Sequence, residues 1–225
     1  MRDLGGIGSG IVPKGLYLRS GKLSILTSDE CAELCRKYNI QYVIDLRTPV
    51  EADEFPDVLP QGVEYQQIPL FEDATVGMTR ETGSDPMTVL RKLRKHPEKI
   101  REMIPDFKEL YRKVVTDDYS RSQLDKVVAI LRANASQGIT TLFHCTAGKD
   151  RSGIVSMALL KSYGVGNDEI VKDFMRTNRN VFWPTIKKCI GVALLTRNWG
   201  FVKTAYKCLM ADRELIEIAL KHYGN

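Results

Sequence analysis

The sequence predicts an α/β fold, with a small, mainly parallel central sheet flanked by helices. Three observations point there. Tyr42-Val43-Ile44-Asp45-Leu46 and the run from Ile139 to Phe143 read as short buried strands. Longer stretches around and after them repeat apolar residues at helical spacing. The elements then alternate along the chain instead of separating into an all-helical and an all-strand part, the pattern of layered α/β architecture.

Leu16-Tyr17-Leu18-Arg19 opens as a short strand. Thr27-Ser28-Asp29-Glu30 offers a capping box, an N-cap hydroxyl with an acid three residues on, to a helix through Tyr38. The strand at 42–46 follows, then an alternating strand from Val63 to Ile68 ending at Pro69. Gly83, Ser84, Asp85 and Pro86 mark a loop. Ile100, Met103, Ile104, Phe107, Leu110, Tyr111 and Val114 recur at helical spacing, with a break or kink expected at Pro105. Ser120 to Gln123 gives a second capping box for a helix carrying Leu124, Val127, Val128 and Leu131. The strand at 139–143 comes next, and from Ser152 onward the pattern is helical, with breaks expected near Gly164-Val165-Gly166, Pro184 and Gly200.

The 225 residues fit a single domain over 1–225, and 43% hydrophobic with 27% charged residues is an ordinary globular balance. No apolar run approaches the ~18 residues needed to cross a bilayer. Met1 to Gly6 lacks the marks of a secretory signal, which makes the cytoplasm the default and leaves export open. Five cysteines without a Cys-x-x-Cys pair argue for reduced thiols over disulfides or zinc, and three histidines without a helical pair give a metal little to bind. No metal and no cofactor are expected. The net charge of +5 is compatible with a solvated surface or with anionic partners, and nucleic acid is not expected among them.

The chemistry concentrates in His144-Cys145-Thr146-Ala147-Gly148-Lys149-Asp150-Arg151-Ser152-Gly153, which joins the last strand to an apolar helix. Five residues between Cys145 and Arg151 can curl so that their N–H groups point inward, backed by a helix N-terminus. Such a nest suits a tetrahedral dianion, a phosphate or sulfate, seated over the sulfur, and the same donors favour the reactive thiolate. Arg151 supplies a planar fork for two phosphoryl oxygens. Ser152 is placed to hydrogen-bond the sulfur. A P-loop NTPase is excluded, because Phe143 stands where its first glycine belongs and Asp150 where it needs Ser or Thr.

These residues resemble the signature loop of the protein tyrosine phosphatase superfamily. Lys149 and Asp150 inside the loop make the sequence similar to its bacterial branch of tyrosine and phosphoinositide phosphatases, of which a secreted mycobacterial enzyme is typical. Arg2-Asp3-Leu4-Gly5-Gly6, Leu18-Arg19-Ser20-Gly21, Asp45-Leu46-Arg47 with Glu51, and Asp173-Phe174-Met175-Arg176-Thr177-Asn178 agree with it. The resemblance implies hydrolysis of phosphotyrosine in proteins, and of phosphoinositides, through a phosphocysteine. Thr146, Ala147, Gly148, Lys149, Asp150 and Arg151 would bind the phosphate. It also implies a helical, lid-like insertion at about 74–119 and a general acid after the strand at 63–70.

Asp73 is the first choice for that acid, then Glu72 and Asp150. Asp117 and Asp118 precede a helix, where an acid commonly caps. Lys149 could meet a second phosphate of a phosphoinositide or simply pair with Asp150. Asp45, Arg47, Arg19 and Ser20 read as internal braces, Cys31 and Cys35 as core, and the run from Arg91 to Lys95 as a solvated face or a contact for acidic lipid. The rival readings are a phosphate-binding module without an acid and a rhodanese-like sulfurtransferase. The latter has no need of an Arg six positions after its cysteine.

Overall fold

The computed structural model describes residues 1–72 and 106–224. Five strands form one sheet: β1 (Arg2–Asp3), β2 (Tyr17–Ser20), β3 (Ile40–Asp45), β4 (Glu64–Gln67) and β5 (Thr140–His144), in the order β1-β2-β5-β3-β4. All neighbours are parallel except β1 with β2. The described helices are α1 (Ser28–Tyr38), α2 (Pro49–Glu54), α3 (Phe107–Thr116), α4 (Asp118–Ser136), α5 (Arg151–Ser162), α6 (Asn167–Thr196), α7 (Trp199–Leu209) and α8 (Arg213–Tyr223). This is the expected mixed α/β architecture, with a mainly parallel sheet between helices. None of the described helices is long and apolar enough to cross a membrane.

The core lies on both faces of the sheet because strand side chains alternate. Leu18, Val43 and Leu142 point to the side where Cys31 and Cys35 of α1 are buried. Tyr17, Ile44 and Phe143 point to the larger cluster with Leu124 and Val127 of α4 and Val155 and Leu159 of α5. β5 has neighbours on both sides and is buried along its whole length. Whatever follows its last residue is therefore held at the middle of the sheet's carboxyl edge, where ligands of open parallel sheets bind.

Several sequence expectations are corrected by local chemistry. The helix expected to open at Ser120 begins at Asp118, because Asp117 is the N-cap and accepts the Ser120 N–H. Pro184 breaks nothing: α6 runs through it to Thr196 and ends where Arg197 turns left-handed. The break expected near Gly200 lies at 197–198, just ahead of α7. Helix α2 was not expected, although Thr48-Pro49-Val50-Glu51 is a complete capping box with proline at the first turn. The capping box at Thr27 and Glu30 is present with both of its hydrogen bonds. The loop at 83–86, the kink at Pro105, the run at 91–95 and most of the insertion at 74–119 lie outside the described residues.

Candidate active site

Cys145 is the first residue past β5, and α5 begins at Arg151. The five residues between them form the loop. Its glycine is dictated by geometry: Gly148 has φ +67°, and a Cβ there would lie 2.5 Å from the Ser20 carbonyl oxygen. At the head of α5 a Cβ on Gly153 would meet the Phe174 ring at 2.6 Å. The Ser152 hydroxyl, in the first turn of α5, lies 3.1 Å from the Cys145 sulfur and is positioned to donate to it.

Loop carbonyls are held from outside. Arg19 donates through Nε to Gly148 O (3.1 Å) and through Nη2 to Lys149 O (2.8 Å), while the Lys22 N–H donates to Thr146 O. In a trans peptide C=O and N–H point in opposite directions, so the N–H groups of Ala147, Lys149 and Asp150 face away from those donors. A concave set of amide donors results, of the kind that binds anions. Arg19 is 3% exposed, and burial together with nearby Arg2 lowers its pKa to about 10, so it keeps its charge at neutral pH.

Arg151 is fixed on its far side by a two-point pair with Glu51, Nη1 to Oε2 at 2.5 Å and Nη2 to Oε1 at 2.8 Å. The Thr146 hydroxyl completes the ring, donating to Glu51 Oε1 and accepting from Arg151 Nη2. Burial works against both charges, yet the pair and its hydrogen bonds prevail: the Glu51 pKa is lowered to about 2 and that of Arg151 is raised. Glu51 also closes the capping box of α2 on the Thr48 N–H. One carboxylate thus ties α2, the loop and α5 together. The sequence placed Glu51 only among matching segments; its partnership with Arg151, 100 residues away, has no linear signal.

Beneath the loop lies a second buried cluster. Arg47 bonds both oxygens of Asp45, Asp57 Oδ2 and the Phe55 carbonyl, and the Tyr65 hydroxyl donates to Asp45 Oδ2. His144 Nε2 lies 3.2 Å from Asp57 Oδ2. Asp45, Asp57 and His144 carry metal-type donors close together, but the Arg47 guanidinium already supplies the cation between the carboxylates. The cluster acts as the brace that Asp45 and Arg47 suggested, and it seats the residue preceding Cys145.

Lys149 and Asp150 are buried. The Lys149 ammonium bonds the Cys208 and Met210 carbonyls at 2.7 and 3.2 Å and lies 3.4 Å from Asp150 Oδ2. In this arrangement Lys149 ties the loop to the carboxyl end of α7, and its charge meets two carbonyls and the Asp150 carboxylate. Asp150 accepts a 2.6 Å hydrogen bond from Tyr111, whose pKa is raised well above the ordinary phenol value by burial and by that carboxylate. A cavity of about 100 Å³ is lined by Cys145, Thr146, Asp150 and Arg151, with Phe107 and Leu209 at its apolar side. Glu72 is exposed, Asp73 lies outside the described residues, and Asp117 is the cap of α4. Tyr111 and Asp57 went unnoticed as site residues because each meets its partner only in three dimensions.

A model of the tyrosine phosphatase family matches residues 1–223. The chain belongs to the tyrosine phosphatase family. A triple specificity protein phosphatase of Mycobacterium tuberculosis is 30% identical over 190 residues, covering 80% of this chain and 67% of that protein. A Cupriavidus necator protein provisionally named a tyrosine-protein phosphatase is 28% identical, over 79% of this chain and 60% of its own length. A tyrosine-protein phosphatase of Nostoc commune is 27% identical, over 72% and 48%. The chain thus spans between about half and two thirds of the length of these relatives.

Proposed function

We propose that the chain is a metal-independent, cysteine-dependent phosphatase that hydrolyses phosphotyrosine in proteins through a phosphocysteine. The observation that carries this reading is the Ser152 hydroxyl on the Cys145 sulfur, in a cavity that Arg151 also lines. The Cys145 thiolate attacks phosphorus; the S–P bond forms as the bond to the leaving oxygen breaks. Arg151 and the loop N–H groups hold the non-bridging oxygens. Asp73 gives the leaving oxygen its proton, an assignment that rests on the sequence. Water then attacks phosphorus, its proton passes to the same carboxylate, and the S–P bond breaks while Ser152 supports the departing thiolate. Asp150 is the alternative acid, favoured by its place on the wall of the Cys145 cavity. Residues 1–225 are proposed to form one catalytic domain.

Phosphoinositides are proposed as a second substrate class through Lys149, whose ammonium must leave the Cys208 and Met210 carbonyls to meet a further phosphate. Turnover of a phosphotyrosyl peptide and of a soluble phosphoinositide, with and without EDTA, tests both statements. Cys145→Ser is expected to lose turnover on both while EDTA changes nothing; wild-type rates in Cys145→Ser, or metal dependence, overturn the mechanism. Lys149→Ala should cost more kcat/KM on the lipid than on the peptide. An equal loss removes the lipid claim and leaves Lys149 as a tie between loop and helix.

A further inference from the structure

Both tryptophans of the chain lie on the hairpin of α6 and α7. Trp183 is 68% exposed and Trp199 81%, with Ile190 and Leu194 at 54% and 75%. Trp183, Lys187, Ile190 and Leu194 follow one another at intervals of four, three and four residues, which places them on one stripe of α6. Trp199 follows just past the turn. Thr185 and Cys189 are buried, and the Cys189 sulfur approaches the Val202 carbonyl of α7. The hairpin is therefore packed along one side and apolar toward solvent along another.

Beyond Asp173 its charge is one-sided as well. From Phe174 to Ala211 the sequence holds Arg176, Arg179, Lys187, Lys188, Arg197, Lys203 and Lys207 and neither Asp nor Glu. The whole chain carries only +5, so the remainder is net acidic. We propose that the α6–α7 hairpin docks on the interface of a bilayer containing anionic lipid. Indole rings settle at headgroup level, Ile and Leu enter the acyl boundary, and lysines and arginines meet the lipid phosphates. A second copy of the chain is a poorer fit, because a two-fold contact would set this hairpin against its own charge. Cys208 and Leu209, at the end of α7, line the cavity that holds Cys145, so the same hairpin borders the site. The docking itself does not depend on the phosphatase reading.

The test uses the full chain with vesicles of phosphatidylcholine alone or mixed equally with phosphatidylglycerol. Because both tryptophans lie on the hairpin, emission excited selectively from tryptophan reports on it alone. The expected result is co-sedimentation and a blue shift with the anionic vesicles only, both reversed by added salt. Leu194→Ala with Trp199→Ala should weaken vesicle binding on the order of tenfold through lost apolar burial. Lys187→Ala with Lys203→Ala should weaken it by a similar factor through lost headgroup attraction. Hydrolysis of p-nitrophenyl phosphate should stay at wild-type level in both variants, which separates docking from chemistry. Absence of binding to anionic vesicles overturns the proposal. So does wild-type affinity in both variants, or a lipid-free blue shift that tracks dimer formation with concentration.

Discussion

Glu51 serves two structures at once, accepting the Thr48 N–H at the head of α2 and both Nη atoms of Arg151. Its acidity is set by that double role. Because its pKa falls from an ordinary 4.5 to about 2 on folding, the unfolded chain binds more protons between those values. The pair's contribution is thus complete above about pH 4.5 and is lost as pH falls toward 2. Glu51→Gln should lower stability by about 3 kcal/mol near neutrality by stranding a buried guanidinium. The gap between wild-type and variant urea midpoints should close as pH drops from 4.5 to 2. Freeing Arg151 from its clamp should also cost on the order of 10²-fold in kcat/KM, the usual price of a misplaced catalytic group. A pH-independent gap, or unimpaired kcat/KM, would show that Arg151 is held by other means.

At the scale of elements, what was legible was what is local. Thr27 and Glu30 form their box as read, and the strand before Cys145 ends within one residue of expectation. Ser120 and Gln123 match a capping box in sequence, but the Asp117 carboxylate three residues earlier takes the cap by accepting both the Ser120 N–H and its hydroxyl. Pro184 was misread because helix rules count the hydrogen bond it removes and not the burial of Thr185 and Cys189 around it. The cap assignment for Asp117 is testable against its candidacy as an acid. Asp117→Ala should cost about 1 kcal/mol of stability, the usual loss for an N-cap, and leave hydrolysis of alkyl phosphates unchanged. A selective loss on those poor leaving groups would move Asp117 into the chemistry.

Across the whole molecule, the sheet sets Cys145 at the end of its central strand, and much of what orients the loop arrives from far along the chain. Arg19 comes from β2, Glu51 from α2 and Tyr111 from α3. Each was visible in the sequence as a residue, but its partner was not, since periodicity and caps report only on near neighbours. The β1 edge, two residues long and antiparallel, left no strand pattern, yet its Arg2 pairs with Asp173 of α6. A covalent step at Cys145 is central to the proposed chemistry, and rapid acid quench of the chain during turnover of a phosphotyrosyl peptide tests that step directly. Mass mapping should find one phosphoryl group on the fragment containing Cys145, in greater amount in Ser152→Ala, where the departing thiolate loses its hydrogen bond, and none in Cys145→Ser. Turnover in full with no phosphoryl group on Cys145, or a phosphoryl group on another residue, would contradict it.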